Sequence, residues 1–382
     1  MLEAFLDAKP LYYDEIDYRR MPRIYARIQK NFLLPKIIHI VGTNGKGTTG
    51  RFLATALYKI GYNVGHYSSP HILSFNERIW FNGFDVSMEL LEATHQELLT
   101  LLTQEEADAL SYFEYTTLLA MLFYSKRCDF VVLEAGLGGE YDATAVFANE
   151  LTLITPIGRD HEAFLGEDIR SIAKTKLAAV QKAAIIAKQK EKLVYEVLRE
   201  IEKEKDVVVY KVEELINTVD EQKIAAIAKA EKLAPYLEEN LSLAIGALKY
   251  FGIEYKMSDF FNARLFGRLT PLAKNILVDV GHNVLAAESI VMSLKNKKYT
   301  LVYNSYRDKN YKEILSVLKP IIDEVELIDV YNARVEESCY LQDALEKLEI
   351  KYSKFTKIRS DKEYFVFGSF SVVEAFLKVY RG

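Results

Sequence analysis

Cysteine is nearly absent: Cys128 and Cys339 are the only two in 382 residues, far apart and without metal-ligand spacing. That excludes a disulfide framework and fits a reducing compartment, with both side chains as ordinary buried or half-buried thiols. No apolar run approaches the roughly 20 residues that a membrane helix needs. The opening stretch MLEAFLDAKPLYYDE carries acidic residues where a signal peptide would have its apolar segment. A cytoplasmic protein that makes no membrane contact is expected. Strong positive charge is lacking too: the formal net charge is −5, which argues against nucleic acid as the partner. There is no internal repeat at solenoid periods and no low-complexity tract. Glycine is scarce and unevenly spread, since seven of the 18 fall within 42–50 and 136–139. Backbone there must turn sharply or approach a ligand closely.

What is present is a chain half apolar and long enough for two or three domains. KIIHIV (36–41) is a short β-rich run ended by Gly42. Beyond it, Phe52, Leu53, Ala56, Leu57 and Ile60 recur at helical spacing, and Gly61 is a natural stop. FVVLEAGLGG (130–139) repeats the pattern, with Glu134 at the strand end, and LTLITPIGRDH (151–161) is a third such strand, with Asp160 and His161 just past it. These leading halves read as buried parallel strands. Residues 167–250 read as mostly helical with short β-like pieces such as DVVVY (206–210). The run KQKEKLVYEVLREIEKEK is a solvated helix face with i,i+4 pairs. NILVDVGHN (275–283), YTLVYN (299–304), VELIDV (325–330) and YFVFGSF (364–370) then look like strands separated by crossover-length helices. The expected class is α/β: a P-loop ATPase-like part with a parallel-rich sheet over 1–265, then a smaller Rossmann-like α/β part over 266–382.

The stretch HIVGTNGKGTTGRF (39–52) sets glycines around Lys46 between a buried strand and a helix start. Such a loop turns several N–H groups and the helix dipole toward an anion. Lys46 adds a point charge near the β- and γ-phosphates, and the Thr48 hydroxyl suits Mg²⁺. The spacing is G-x-x-G-K-G-T rather than G-x-x-x-x-G-K-[ST]. A strand-end Glu is, taken alone, more often a solvated terminus, and a lone His a satisfied structural one. Beside a phosphate loop, Glu134 and His161 become candidates for a Mg²⁺ shell, although imidazole on Mg²⁺ is unusual. Ser69, in YSSPHILSFNERI (67–79), either completes that shell or marks a turn. Asp279 and His282 either face the first part across a cleft or cap the next helix, for which Asn283 is well suited.

In series, these residues resemble the folylpolyglutamate synthase/dihydrofolate synthase family of the Mur ligase superfamily. HIVGTNGKGTTG resembles its ATP loop, YSSPHILSFNERI its serine–proline segment, and SYFEYTTLLA (111–120) its Phe-Glu-aromatic helix. DFVVLEAGLGGEYDAT (129–144) resembles its acidic strand and glycine turn, and IGRDHEAFLGEDIRSIAKTK (157–176) its histidine segment with the later lysine. FGRL, LVDVGHN and VFGSF are similar to its linker arginine, Asp-x-x-His-Asn motif and C-terminal Gly-Ser signature. The resemblance implies that Thr43, Asn44, Gly45, Lys46, Gly47 and Thr48 hold ATP. It makes Thr48 and Ser69 ligands of a first Mg²⁺, Glu134 shared between two, and His161 a ligand of the second. Lys176 matches a lysine carbamylated in the family, whose negative charge would suit two nearby cations better than an ammonium. Asn240, Arg268, Asp279 and His282 match residues that position ATP, and Lys46, His161 and Lys176 are the residues expected to take part in catalysis.

The implied reaction is ATP-dependent addition of L-glutamate to dihydropteroate, to reduced folates or to both, through an acyl phosphate. The implied enzyme is a monomer. Two departures stand out: the family's arginine in GLGGRLDATN is Glu140 here, and its closing asparagine is Ala145. A cell-wall Mur ligase would carry a further N-terminal domain, for which the 41 residues before Gly42 are too few. The remaining alternatives are one of the two glutamate-adding activities alone, or an ATP-holding regulatory protein without turnover.

Overall fold

The computed structural model describes residues 1–10, 17–160, 162–166, 168–295 and 297–381. His161 therefore lies outside the described residues. Two sheets organise what is described. The first runs through β1 (Lys36–Val41), β2 (Val64–Tyr67), β3 (Ile79–Phe81), β4 (Phe84–Asp85), β5 (Phe130–Glu134), β6 (Leu151–Ile154), β7 (Ala183–Ile186) and β8 (Val208–Lys211), in the order β4-β3-β2-β5-β1-β6-β7-β8. All neighbours from β2 to β8 are parallel, and β3 and β4 turn back antiparallel at one edge.

The central strand β1 has Ile37, Ile38, Ile40 and Val41 fully buried, because helices cover both sheet faces. On one face Ile38 and Ile40 join Phe52, Leu53 and Leu57 of the helix Lys46–Ile60 and Leu241, Ala244 and Leu248 of the helix Pro235–Tyr250. On the other face Ile37 packs with Leu118, Leu119 and Leu122 of the helix Tyr112–Ser125. That helix starts on a reciprocal cap between Ser111 and Glu114, and Glu114 also takes the buried guanidinium of Arg20 at 2.8 Å.

The second sheet holds β9 (Thr270–Ala273), β10 (Ile276–Val278), β11 (Tyr299–Tyr303), β12 (Ile322–Leu327), β13 (Tyr352–Lys354) and β14 (Tyr364–Phe367), in the order β13-β12-β11-β14-β10-β9. Only the β9–β10 pair is antiparallel. Its own core, with Leu301, Tyr303, Leu315 and Phe367, is separate from those of the first sheet.

Three details differ from the sequence reading. Residues 183–186 form β7, a fully buried strand inside the span read as helical, and it is short enough that periodicity carries no signal. The strand anticipated at 325–330 begins at Ile322 and ends at Leu327. Cys339 is exposed, whereas Cys128 is half-buried and burial pushes its thiol up. The charged run 188–205 does form an amphipathic helix, Lys192–Lys205, with Val194, Val197, Leu198 and Ile201 inward. Among the described residues, no helix is long and apolar enough to cross a membrane.

Candidate active site

Past the carboxyl ends of β5 and β6 lies a cavity of about 2020 Å³ between the two sheets, lined by Gly136, Gly158 and Asp160 on one side and by His282, Asn283 and Lys309 on the other. β1 sits between β5 and β6, so the chain leaves its neighbours in different directions and a crevice opens at the strand ends. The glycine loop follows β1 there. Gly42 (φ 144°) passes so close to β6 that a Cβ would lie 2.0 Å from Thr155 Oγ1. Gly45 (φ 89°) begins the helix in the left-handed region, where an L side chain is strained, and a Cβ there would meet Asn240 Oδ1 at 2.4 Å. Asn240 thus rests directly on the loop. The N–H groups of Thr43 and Asn44 donate to the Pro156 carbonyl at 2.9 and 3.3 Å. The Thr43 hydroxyl donates to the Gly158 carbonyl at 3.0 Å and accepts the Gly158 N–H at 3.1 Å.

Inside the loop, Lys46 Nζ folds back to the carbonyls of Gly42 and Thr43, each at 3.3 Å, and stands 4.0 Å from Glu134 Oε1. Glu134 accepts the Ser69 N–H at 3.2 Å. Burial pushes its carboxyl up, opposed by Lys46, the Ser69 N–H, and the more distant Arg268 and Arg78. Gly47 abuts the same carboxylate: a Cβ there would sit 3.3 Å from Glu134 Oε2. The Thr48 hydroxyl is buried with no hydrogen-bond partner. A buried orphan hydroxyl is costly unless something else takes its oxygen. Together with the Glu134 carboxylate, which lies against Gly47 and accepts the Ser69 N–H, it makes an oxygen donor set that suits a hard divalent cation.

Lys176 lies in the last turn of the helix Ile169–Leu177, buried, with Nζ donating to the Gly42 carbonyl at 3.0 Å. Burial lowers its amine to about 7, helped by Lys46 and opposed by Asp160 and Asp142. From the other sheet, Asp279 is buried and accepts from Leu269 N–H (2.8 Å), Gly281 N–H (2.7 Å) and Tyr236 O–H (2.9 Å). Its carboxylate braces the turn that carries Arg268, whose guanidinium lies 5.3 Å over the Phe370 ring. His282 puts Nε2 3.5 Å from Asp160 Oδ2. The two sequence alternatives for this segment divide between residues: Asn283 caps the helix Val284–Ser293, and His282 faces the first sheet.

The structure thus gathers Thr43, Asn44, Gly45, Lys46, Gly47, Thr48, Ser69, Glu134, Lys176 and Asn240 around one loop, with Arg268, Asp279 and His282 opposite. Sequence reasoning gave no role to Lys309, which is buried with its Nζ 2.5 Å from Asp160 Oδ1. The available signal was its place in RDKN, a polar turn just past the end of β11. The two family departures sit apart from the loop: Glu140 is exposed with its N–H on the Thr175 carbonyl, and the Ala145 carbonyl accepts from Gln181.

A glycine loop between a buried strand and a helix, at a switch point of a parallel sheet, defines the class: an α/β P-loop nucleotide-binding protein. The comparisons go further. A protein of Buchnera aphidicola subsp. Schizaphis graminum called dihydrofolate synthase/folylpolyglutamate synthase is 30% identical over 88% of this chain and 86% of its own. The chain belongs to the dihydrofolate synthase/folylpolyglutamate synthase family. The crystal structure of Helicobacter pylori folylpolyglutamate synthetase superposes with a TM-score of 0.80 at 37% identity, covering 100% of this chain and 98% of that one. The E. coli FolC protein, solved in complex with DHPP and ADP, superposes with a TM-score of 0.82 at 25% identity over 99% and 96% of the two chains. No protein-family model matches the chain.

Proposed function

We propose that this protein is an ATP-dependent carboxylate–amine ligase that joins L-glutamate to dihydropteroate and to reduced folates, releasing ADP and phosphate. The observation that carries the reading is the convergence of Lys46, Thr48, Glu134 and Lys176 at one glycine loop, whose contacts Ser69 and Gly158 line the adjoining cavity. We take residues 1–265 as the nucleotide-holding part and 266–382 as the second α/β part.

A carboxylate resists attack by an amine, so the γ-phosphoryl group is first transferred to it, and the glutamate amine then displaces phosphate. With the Thr43 and Asn44 N–H groups bound to Pro156, the N–H groups of the helix start hold the β- and γ-phosphates, and Lys46 swings from its carbonyls to the transferred group. Thr48, Ser69 and Glu134 would hold one Mg²⁺, and His161 with Glu134 and Lys176 a second. When bound, these ions neutralise the phosphate oxygens and orient the acceptor carboxylate. Arg268, braced by Asp279, and Asn240, seated on Gly45, position the nucleotide from the linker side.

Lys176 fits carbamylation for a physical reason. An amine brought to about 7 is substantially neutral near physiological pH, and only the neutral form attacks CO₂. The nitrogen lone pair forms the N–C bond, one proton leaves to solvent, and an anionic carbamate results. Its two oxygens put a negative charge near Lys46 where the amine stood.

A single-activity enzyme is the second reading, favoured by Glu140 and Ala145 in the segment next to the cavity. ADP release by the purified protein with MgATP, L-glutamate and bicarbonate decides among these. Turnover with both dihydropteroate and a tetrahydrofolate monoglutamate establishes the bifunctional enzyme, and turnover with one names the narrower enzyme. Silence with both, despite nucleotide binding, removes the ligase reading.

A further inference from the structure

Four side chains connect the phosphate loop to the second sheet, alternating between the two halves of the molecule. Asn44 in the glycine loop exchanges two amide hydrogen bonds with Asn283, each at 2.9 Å. Asn283 also donates to Asp160 Oδ2 at 3.1 Å. Lys309 meets Asp160 Oδ1 at 2.5 Å, and His282 stands 3.5 Å from the same carboxylate. These donors to Asp160 all come from the six-stranded half, whereas Asp160 belongs to the segment after β6. That segment also carries the Pro156 and Gly158 contacts to Thr43 and Asn44. Asp160, Asn283 and Lys309 are all at least nine-tenths buried. On its outer side Lys309 lies 3.3 Å from Asp308, whose carboxylate is held in turn by Arg334.

We propose that Lys309 is a positioning residue: through Asp160 and Asn283 it closes a clasp that seats the six-stranded half on the phosphate loop during turnover. The proposal rests on the ligase reading for its kinetic arm and on geometry alone for its structural arm. A buried ion pair repays little more than the desolvation of its two charges. A clasp built on one can therefore open and resolvate both groups at low cost, as product release requires. Removing Lys309 has a much larger effect, because the closed state then buries the Asp160 carboxylate without the ammonium that meets it at 2.5 Å, and the equilibrium moves to the open state.

The test uses the full chain with Lys309→Met, Asp160→Asn and the double substitution. It reads steady-state kinetics, thermal midpoint, and the radius of gyration by small-angle scattering with and without MgADP. Lys309→Met is expected to lower kcat about 30-fold, with KM for ATP within about threefold of wild type. Its midpoint stays within about 3 °C, and compaction by MgADP is lost. The double substitution, with a neutral amide and no cation, recovers part of both kcat and compaction, a non-additive result that a merely structural role does not produce. Unchanged kcat and compaction in Lys309→Met overturn the clasp. So do losses of kcat that follow the midpoint and add in the double variant. Should Lys309→Met fail to fold, the isosteric Asp160→Asn is read by the same criteria. If the wild type lacks ligase turnover but compacts with MgADP, the scattering arm alone decides the clasp, and only the ligase reading falls.

Discussion

Two lysines are buried in the two halves, Lys176 against the phosphate loop and Lys309 at the cavity, and the molecule treats them oppositely. Lys309 extends from the second sheet onto the Asp160 carboxylate and is paired with it at 2.5 Å. Lys176 extends from the first half onto a backbone carbonyl, with Lys46 as an unfavourable neighbour and, among the described residues, no carboxylate in contact. The same side chain at similar burial is a strut where it is paired and a reactive amine where it is not. The difference lies in the second partner, which no local sequence feature around either lysine announces.

The comparison breaks most sharply at Lys176. Lys176→Met should lower kcat by about 10³-fold, since it removes both the amine and the carbamate it forms. Wild-type protein in CO₂-depleted buffer should lose activity reversibly, and labelled bicarbonate should restore it together with a carbamate carbon signal. Full activity without CO₂ would return Lys176 to a structural role.

The next largest effect is on stability against pH. The Lys176 amine is near 7 when folded and near its usual value of 10.5 when unfolded. Between those values the unfolded chain binds the extra proton, so stability should rise with pH across that window and lose this contribution below pH 7, where both states are protonated. Thermal midpoints of wild type and Lys176→Met in CO₂-free buffer check it: the rise from pH 7 to 10 should shrink in the variant.

Thr48→Val comes third. It removes a buried hydroxyl with no partner in the ligand-free protein, so the midpoint should hold or rise by about 1 kcal/mol of stability, while kcat falls about 10²-fold and the Mg²⁺ requirement increases. Parallel losses in stability and activity would mean that the hydroxyl supports the fold instead. The smallest effect is at Glu140→Arg, which restores the family's residue on an exposed side chain. KM for the pterin substrate should change about threefold, with kcat and midpoint unaltered.

Much of the first half was legible because its signals are local. A buried β-run ended by Gly42, helical spacing from Phe52 to Ile60 and a stop at Gly61 each need only a few neighbouring residues, and the helix Lys46–Ile60 ends at that stop while starting earlier, at Lys46. The strand β7 was not legible: AAII lacks alternation, and only its place beside β6 makes it a strand. The approach of Glu134 to the loop was legible from its place at a strand end and that of Ser69 only as one of two alternatives, whereas Lys176, on a separate helix, followed from resemblance alone. The clasp was least legible of all. Asp160 was visible as a strand-end acid and Asn283 as a helix cap, yet their meeting with Lys309 and Asn44 depends on how two separately cored sheets face each other.

The position of β1 in the middle of its sheet has a consequence for synthesis. The strand is made early, but its neighbours are not: the Gly42 carbonyl is met by a lysine 134 positions later, and Asn44 by an asparagine 239 positions later. A nascent chain shorter than this has the glycine loop in its sequence without the walls that shape it. The loop therefore takes its full surroundings only after the chain has been made as far as Asn283.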